Sequence, residues 1–227
     1  MGCVDFDDCQ SLQRRLAYDA LTRADGRVVV LICEHPPLVT IGRAGSREQV
    51  RFTGAELAAR QLAVRYVGRG GGAILHVPGQ LAIYTIVPLD WHGWTVGEFL
   101  RRLSTALRAT LVDLKLKLQS AAGSHSLSGR TGVIAAVAVS VRHGVTGQGA
   151  FININPDMRD QLRVAFQGRQ PMSSVLSERP APVRMTTVRA ALVNHLATSF
   201  GCERYHLHTG HPHLPDLPLS DSRDAAA

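Results

Sequence analysis

The sequence predicts a single α+β domain in which a mixed β-sheet is flanked by helices. Apolar segments of strand length and segments with helical periodicity occur in mixed order along the 227 residues. Several strand segments are separated by short turns that contain glycine, which is typical of hairpins. Hydrophobic residues make up 45% of the chain and charged residues 19%, so one domain of this length has the apolar residues that its core needs.

The first half of the chain is predicted to contain two helices and five strands. Residues 9–22 place leucines on one helical stripe, and the apolar strand that follows stops at Pro36-Pro37. A second strand, a short helix over 54–62 and an alternating strand lead to three consecutive glycines. Two more strands surround Pro78-Gly79, and we expect these two strands to pair as a hairpin.

The second half is predicted to contain two long strands between two helices. Thr95 and Glu98 form a capping-box signature, T-x-x-E, in front of a helix with a leucine-rich stripe. After a loop, two strands are joined around His143-Gly144. A last helix is expected to end at Gly201, because glycine often follows the C-terminus of a helix.

The composition changes to Pro, Asp, Ser and Ala from about Pro212. We therefore assign residues 1–211 to the domain and expect residues 212–227 to form a disordered tail.

Composition and charge exclude several classes of protein. No stretch approaches the ~18 uninterrupted apolar residues of a membrane span, and the first ten residues lack the pattern of a secretory signal. The four cysteines have neither C-x-x-C nor disulfide-framework spacing, which suits free thiols in a reducing compartment. The net charge of +7 is spread over the whole chain, which favours an acidic protein partner over nucleic acid. We expect a cytoplasmic monomer that binds neither nucleic acid nor membranes.

The stretch RGGGAILHVPGQLAIY, residues 69–84, indicates a binding site. Three consecutive glycines exceed what one turn requires, and they leave backbone N–H groups uncovered for a ligand carbonyl or phosphate. The stretch matches neither the phosphate loop G-x-x-x-x-G-K-[ST] nor the dinucleotide fingerprint G-x-G-x-x-G. Arg69 and His76, on either side of the glycines, are candidate site residues.

Three segments of the chain resemble, in family order, the motifs of the octanoyltransferases of lipoate biosynthesis. They are ICEHPPLVTIGR (32–43), RGGGAILHVPGQLAIY (69–84) and VIAAVAVSVRHGVTGQGAFININPD (133–157). The resemblance covers roughly residues 9–202 and implies the fold that lipoate ligases share with biotin protein ligases. It also implies transfer of an octanoyl group from octanoyl-acyl carrier protein to a lysine of a lipoyl domain, in 2-oxoacid dehydrogenases or in glycine cleavage H protein.

The resemblance further implies a pocket for the eight-carbon acyl chain, built from three segments without a cofactor or a metal ion. Carried over by position, the substrate-binding residues are Arg69, Gly70, Gly71, Gly72, Ala73, Ile74, Leu75, His76, Ala136, Val137, Ala138, Gly149, Ala150 and Phe151.

The catalytic pair of the family is not found at the matching positions. The family forms a thioester on a cysteine, and a lysine stabilises the thiolate. Counting without gaps from Phe151 places Gln167 at the cysteine position, and Val133 occupies the lysine position. No catalytic residue is therefore assigned. Two functions remain open: octanoyl transfer in which the amine attacks the carrier thioester directly, and a degenerate paralogue that binds acyl carrier protein or lipoyl domains without transfer.

Other sites are less favoured by the sequence. Cys33 lies in an apolar strand, where a structural role is more typical. Ser173 and Ser174 have no base at a recognisable spacing. ATP-dependent ligation is disfavoured, because lipoate ligases use a lysine that also matches Val133. A solvated histidine-rich tail is favoured over a metal site for His206, His208, His211 and His213.

Overall fold

The computed structural model describes residues 1–23, 25–119, 125–164, 170–179 and 181–214. Its helices are α1 (Phe6–Arg23), α2 (Gly54–Ala59), α3 (Val96–Asp113), α4 (Met158–Gln161), α5 (Val175–Glu178) and α6 (Met185–Phe200). Its strands are β1 (Val29–Cys33), β2 (Leu38–Ile41), β3 (Ala63–Tyr66), β4 (Ala73–His76), β5 (Gln80–Ile86), β6 (Ser126–Ser128), β7 (Val133–Arg142) and β8 (Val145–Asn153). Short 3₁₀ helices lie at Arg47–Gln49 and Leu89–His92.

The strands of the described residues form two sheets flanked by helices, which confirms the predicted α+β class. In the large sheet, five strands pair antiparallel in the order β1-β5-β8-β7-β6. In the small sheet, the order is β3-β2-β4. Here β2 is parallel to β3 and antiparallel to β4, so the small sheet is mixed.

The two faces of the large sheet pack against different elements. Successive side chains of a strand point to opposite faces. On what we call the outer face, Ile83 belongs to the main core together with Leu107 of α3. On the inner face, Tyr84 belongs to a cluster with Cys9 of α1. Ile74 of the small sheet also packs against this face. The inner face of the large sheet is therefore covered by a second layer, which α1 and the small sheet form.

The predicted hairpin between β4 and β5 is wrong. β4 pairs with β2 in the small sheet, whereas β5 pairs with β1 and β8 in the large sheet. The chain changes sheet at Gly79, which has a φ of 90°. The Gly79 N–H donates to Glu34 Oε2 at 2.8 Å, and the Gly79 carbonyl accepts from the N–H groups of Ile154 and Asn155. These long-range hydrogen bonds stabilise the turn, because β4 and β5 do not pair with each other.

Two other predicted features of the backbone are confirmed. β7 and β8 pair as a hairpin around His143, with a φ of 50°, and Gly144, with a φ of 74°. Positive φ at both central residues is what a tight two-residue hairpin turn requires. Gly201, with a φ of 68°, caps the C-terminus of α6.

The capping box predicted at Thr95 forms in one direction. Thr95 Oγ1 accepts from the Glu98 N–H at 3.1 Å, whereas the Glu98 carboxylate binds Arg101 and Arg102. A full reciprocal box forms instead at the start of α2, between Thr53 and Glu56.

The C-terminal segment packs onto α1 up to the last described residue. Leu214 is buried in the cluster that contains Cys9 and Leu12. Residues 215–227, which make up most of the predicted tail, lie outside the described residues. In the part of the chain that the structure describes, no helix is long and apolar enough to cross a membrane.

Candidate functional site

The three segments that the sequence predicts to line the site meet on the inner face. The glycine loop, residues 69–72, contacts β7 directly, because the Gly70 N–H donates to the Val139 carbonyl at 2.9 Å. On the neighbouring strand β8, Gly149 pairs with Ala138 of β7. The loop, β7 and β8 thus form one continuous region.

A small apolar cluster lies between the two sheets in this region, and we call it the inter-sheet cluster. Strand β7 contributes two alanines to it, whose side chains are the smallest that carry a Cβ. Its buried members are Ile74, Val133, Ala136, Ala138, Phe151 and Met172, and Met158 packs against them. The cluster therefore combines residues from all three predicted segments.

Because side chains alternate along a strand, four of the predicted site residues point away from the inter-sheet cluster. Ala73 and Leu75 belong to the core of the small sheet. Val137 and Ala150 belong to the core on the outer face of the large sheet. Because their side chains face away from the inter-sheet cluster, these four residues support the site strands, while Ile74 faces the cluster.

Arg69 is buried and holds the glycine loop. Its guanidinium donates to the carbonyl oxygens of Gly70 at 3.0 Å and of Gly72 at 2.9 Å. It also donates to the carbonyl oxygen and to Oγ1 of Thr40 on β2, at 2.9 and 2.7 Å. Burial lowers the pKa of Arg69 to about 10, so the side chain still carries its charge at neutral pH. Arg69 thus acts as a clamp on the loop backbone, whereas the motif alone suggested a contact with substrate.

Close approach and backbone geometry explain three glycines near the site. Gly71 has a φ of 73°, a conformation that glycine adopts without strain. A Cβ on Gly42 would lie 2.5 Å from the Gly71 carbonyl oxygen, so the end of β2 lies against the loop. A Cβ on Gly149 would overlap the carbonyl oxygen of Ile83. Gly149 therefore allows β8 to approach β5 closely.

His76 is buried and uncharged. Its Nε2 lies 3.1 Å from Thr40 Oγ1, and because that hydroxyl already accepts from Arg69, it donates its own proton to Nε2. Burial first, and then the neighbouring His35 and Arg69, lower the pKa of His76 well below its ordinary value, although the Gln80 side chain acts in the opposite direction. At neutral pH this imidazole provides hydrogen bonding to the site without a charge.

A buried polar network that the motifs did not indicate extends from this region along β5 and β8. Gln80 Nε2 donates to the Leu75 carbonyl at 3.0 Å and to Asn153 Oδ1 at 2.9 Å. Asn153 Nδ2 donates to the Ser173 carbonyl at 3.0 Å. Gln80 and Asn153 lie opposite each other at the ends of two apolar strands. A polar residue that interrupts an apolar strand was the sequence signal that could have indicated this network.

Val133, which the resemblance predicts to occupy the family's lysine position, belongs to the inter-sheet cluster. Its N–H donates to the Pro171 carbonyl at 2.9 Å, and its carbonyl accepts from the Ser173 N–H at 2.8 Å. The segment that begins at residue 170 therefore runs beside the start of β7. Gln167, which the resemblance predicts to occupy the family's cysteine position, lies outside the described residues.

The chain has no cysteine and lysine near the two positions that the resemblance assigns to the family's catalytic pair. The chain has no cysteine between Cys33 and Cys202. Its two lysines, Lys115 and Lys117, are exposed and follow α3, which packs on the outer face. A lysine ammonium is therefore not available beside Val133 to stabilise a thiolate.

The N-terminal cysteines are buried thiols. Cys9 and Cys33 are both 0% exposed. The hydrogen bond with Cys9, and then burial, raise the pKa of Cys33 well above that of an ordinary thiol. Burial, and then the Glu34 carboxylate, raise the pKa of Cys3 to about 11. Because only a thiolate is an effective nucleophile, Cys3 and Cys33 are poor replacements for the missing one.

Ser173 contacts a carboxylate that residue spacing did not reveal. Its Oγ donates to Glu178 Oε1 at 2.9 Å and lies 2.8 Å from Thr131 Oγ1. Glu178 also accepts from the N–H groups of Arg130 and Thr131 and from the Thr131 hydroxyl. Burial acts to raise the pKa of Glu178, but the bonds from Thr131, Arg130 and Ser173 lower it. A carboxylate that accepts this many hydrogen bonds is a weak base, so Glu178 connects the loop at Arg130 and Thr131 to the segment that contains Ser173. Ser174 has a different role, because its side chain caps the N-terminus of α5.

The C-terminal histidines lie at the surface. His206 and His208 are exposed. His211 and His213 line a cavity of about 220 Å³ against α1, and His213 Nε2 lies 2.8 Å from the Arg15 guanidinium. The positive charge of Arg15 opposes binding of a cation at this place.

Relatives with sequence similarity cover most of the chain. Residues 7–198 match the family described as lipoyl protein ligase A/B catalytic domain. The chain is 32% identical over 213 residues to an octanoyltransferase from Roseiflexus sp. (strain RS-1), which covers 89% of this chain and 86% of that protein. It is 30% identical over 192 residues to an octanoyltransferase from Geotalea uraniireducens (strain Rf4), which covers 84% of this chain and 86% of that protein.

Solved structures share the fold. A bi-partite lipoate protein ligase from Thermoplasma acidophilum has a TM-score of 0.67 at 17% identity and covers 88% of this chain and 82% of its own. LipL1 from P. falciparum, solved in complex with lipoate, has a TM-score of 0.67 at 12% identity and covers 92% of this chain and 64% of its own. The family match over most of the chain and the curated relatives show that this chain belongs to the lipoyl protein ligase A/B catalytic-domain family and, within it, to the octanoyltransferases.

Proposed function

We propose that this chain transfers an octanoyl group from octanoyl-acyl carrier protein to a lysine of a lipoyl domain, in 2-oxoacid dehydrogenases or in glycine cleavage H protein. The relatives named octanoyltransferases support the acyl group and the class of reaction. The observation that carries the proposal is the meeting of the glycine loop, β7 and β8 at the inter-sheet cluster.

The inter-sheet cluster is the proposed binding surface for the acyl chain. Ala136 and Ala138 of β7 and Ile74 of the small sheet present apolar side chains there. Burial of one CH₂ group contributes about 0.8 kcal/mol, so the seven carbons beyond the octanoyl carbonyl contribute roughly 6 kcal/mol to binding.

The glycine loop is the proposed contact for the thioester. Its backbone is fixed by Arg69 and by the bond from the Gly70 N–H to Val139. A fixed backbone can direct N–H groups, those of Gly71 and Gly72, towards the oxygen that becomes negative during acyl transfer. Because the donors are already oriented, no free energy is spent on ordering them during the reaction.

The proposed reaction proceeds without an acyl-enzyme. The acceptor lysine, as a free amine, attacks the thioester carbonyl carbon, so that a C–N bond forms and the C–S bond breaks. The carrier thiol leaves and takes the proton that the amine loses. Holding donor and acceptor in one complex supplies several kcal/mol of the barrier through proximity. This route needs neither a cysteine at position 167 nor a lysine at position 133.

A second candidate is an octanoyltransferase relative that binds octanoyl carrier protein or lipoyl domains without catalysing transfer. The observation that favours it is the apolar environment of Val133, which is 3% exposed inside the inter-sheet cluster. The resemblance predicts a lysine of the family at this position. The absence of any cysteine between Cys33 and Cys202 favours it as well.

The test incubates the purified protein with octanoyl-carrier protein and a lipoyl domain and measures the intact mass of the lipoyl domain. Direct transfer predicts a gain of one octanoyl group, and none in a control lipoyl domain whose target lysine is replaced by arginine. It also predicts no octanoyl thioester on the protein itself. No gain above background, in a protein that still binds octanoyl-carrier protein, supports the second candidate. A protein that binds neither partner contradicts both.

A further inference from the structure

Two cysteines and a histidine meet in the core beside the candidate site. Cys9 lies on α1, Cys33 ends β1, and His35 follows two residues later. The two Sγ atoms and a ring nitrogen of His35 all lie within 4.8 Å of one another. Each of the three residues is at most 1% exposed. Neither proposed function uses this group, so its chemistry needs a separate explanation.

The imidazole of His35 is oriented with Nε2 towards Cys33. Its Nδ1 lies 2.6 Å from the Val4 carbonyl oxygen, so Nδ1 carries the proton and donates it. Nε2 is then the basic nitrogen, and it lies 3.6 Å from Cys33 Sγ and 2.6 Å from Tyr84 Oη. Histidine ligands of metal ions are commonly held in this way, with the second nitrogen donating to a backbone carbonyl.

The distances suit a tetrahedral ion. With Zn–S bonds of about 2.3 Å and Zn–N bonds of about 2.0–2.1 Å, a sulfur and a nitrogen ligand of one zinc ion lie about 3.5 Å apart. Cys33 Sγ and His35 Nε2 are 3.6 Å apart. Two sulfur ligands of one zinc ion lie about 3.8 Å apart, and all ligand atoms of this group lie within 4.8 Å of one another. The two sulfurs therefore need to approach by at most about 1.0 Å, and Cys9 Sγ and the His35 nitrogen by at most about 1.3 Å.

Charge selects the kind of ion. Two thiolates neutralise a divalent cation, whereas a monovalent ion such as Cu⁺ would leave a net negative charge in a site without solvent. Thiolate and imidazole ligands together suit Zn²⁺. The Tyr84 hydroxyl is next to the fourth position. At 2.6 Å from Nε2 it is closer than the roughly 3.3 Å that separates an oxygen from a nitrogen ligand of zinc, so it has to move outward when the ion binds.

We propose that Cys9, Cys33 and His35 bind one zinc ion, with the Tyr84 hydroxyl at the fourth position. Two Zn–S bonds form as the two thiol protons leave to solvent, and nothing is oxidised or reduced. The ion would join α1 to the end of β1. It would also fix the His35 ring, whose centroid lies 5.6 Å from that of His76, and thereby one side of the candidate site. The role is structural.

The test measures the zinc content of the full chain, purified under reducing conditions with zinc and then dialysed against metal-free buffer. We expect about one zinc per chain by elemental mass spectrometry. Cys9→Ser and Cys33→Ser should each lose it. Cys202→Ser, a matched control outside the group, should keep it. The double variant His211→Gln with His213→Gln should also keep it, which excludes the C-terminal histidines as the source.

A measurement on the unmodified chain avoids variants that fail to fold. Replacement of zinc by Co²⁺ should produce thiolate-to-cobalt charge-transfer absorption together with the intense visible bands of tetrahedral cobalt. A chelator should lower the Tm, because an ion that binds only the folded state stabilises it. The proposal is overturned by the absence of zinc and of a cobalt–thiolate band, by zinc that is lost only in the histidine variant, or by a Cys9–Cys33 disulfide in the reduced preparation.

Discussion

Arg69 donates hydrogen bonds to both the carbonyl oxygen and the Oγ1 atom of Thr40, at 2.9 and 2.7 Å. The same hydroxyl lies 3.1 Å from His76 Nε2. One buried cation therefore connects the glycine loop, the small sheet and the histidine of the motif. Since these bonds go to the protein itself, the stability of the fold should depend on Arg69.

Arg69→Met should lower the free energy of unfolding by about 3 kcal/mol, because it removes a charged donor that serves three backbone carbonyl oxygens and the Thr40 hydroxyl. Denaturation by urea measures the change. Arg65→Met is the matched control. Arg65 is exposed and pairs with Asp7 at 3.4 Å, so its removal should cost less than about 1 kcal/mol. Equal losses in the two variants would contradict the role of Arg69 as a clamp.

Gly149→Ala should destabilise the chain by about 3 kcal/mol, because the added Cβ would overlap the Ile83 carbonyl oxygen and force β8 away from β5. Gly54→Ala provides the control, since nothing lies within 4 Å of a Cβ at the start of α2. It should be neutral or stabilising by about 0.5 kcal/mol. Thermal unfolding of both variants decides whether the close strand approach is required, and a neutral Gly149→Ala would show that it is not.

Stability should decrease in acid through the Glu56 carboxylate. Hydrogen bonds from the Arg163 guanidinium, and then from the Thr53 N–H, lower the pKa of Glu56 to about 2. The unfolded chain takes up the proton near the ordinary value of 4.5, before the folded chain does. The stabilisation is therefore complete above pH 4.5 and is lost as the pH falls towards 2.

Unfolding of Glu56→Gln across this range checks the prediction. At low salt the variant should be less stable than the parent chain at pH 6, and the difference should shrink as the pH falls to 2. Glu203→Gln, which alters another surface carboxylate, is the control. A difference for Glu56→Gln that stays constant from pH 6 to pH 2 would contradict the assignment.

Restoring the family's catalytic pair should create an acyl-enzyme. Gln167→Cys combined with Val133→Lys should form an octanoyl thioester with octanoyl-carrier protein, detectable as a mass gain on the protein that hydroxylamine removes. Gln167→Cys alone should form less, because a thiol without the ammonium keeps a pKa near ~8.5 and is mostly protonated at neutral pH. If the double variant binds octanoyl-carrier protein and forms no thioester, the assignment of position 167 is wrong.

The sequence predicted the elements of the fold better than their pairing. The β7–β8 hairpin was predictable, because His143 and Gly144 tolerate the positive φ values that a tight turn needs. Pro78-Gly79 looks the same locally whether the flanking strands pair or separate. The outcome there is decided by distant groups, such as the Glu34 carboxylate that accepts from the Gly79 N–H. A sequence pattern contains no signal for such contacts.

The sequence predicted that the three motif segments meet, whereas it predicted the contacts of their side chains only in part. Strand alternation alone could have separated Ile74, which faces the cluster, from Leu75, which faces the small-sheet core. The clamp formed by Arg69 could not be predicted, since three of its four acceptors are backbone carbonyls, which every residue carries. The contact of Ser173 with Glu178 was missed because spacing along the chain does not show how a loop folds back.

Binding of octanoyl-carrier protein to Ala138→Leu tests the central claim most directly, namely that the acyl chain lies at the inter-sheet cluster. Ala138 is a buried member of that cluster, so a larger side chain there should hinder binding of the acyl chain. Calorimetric titration should show affinity reduced about ten-fold or more, with hexanoyl-carrier protein affected less. Ala55→Leu, on the exposed side of α2, should bind like the parent chain. Unchanged affinity in a folded Ala138→Leu, equal to that of Ala55→Leu, would contradict the claim.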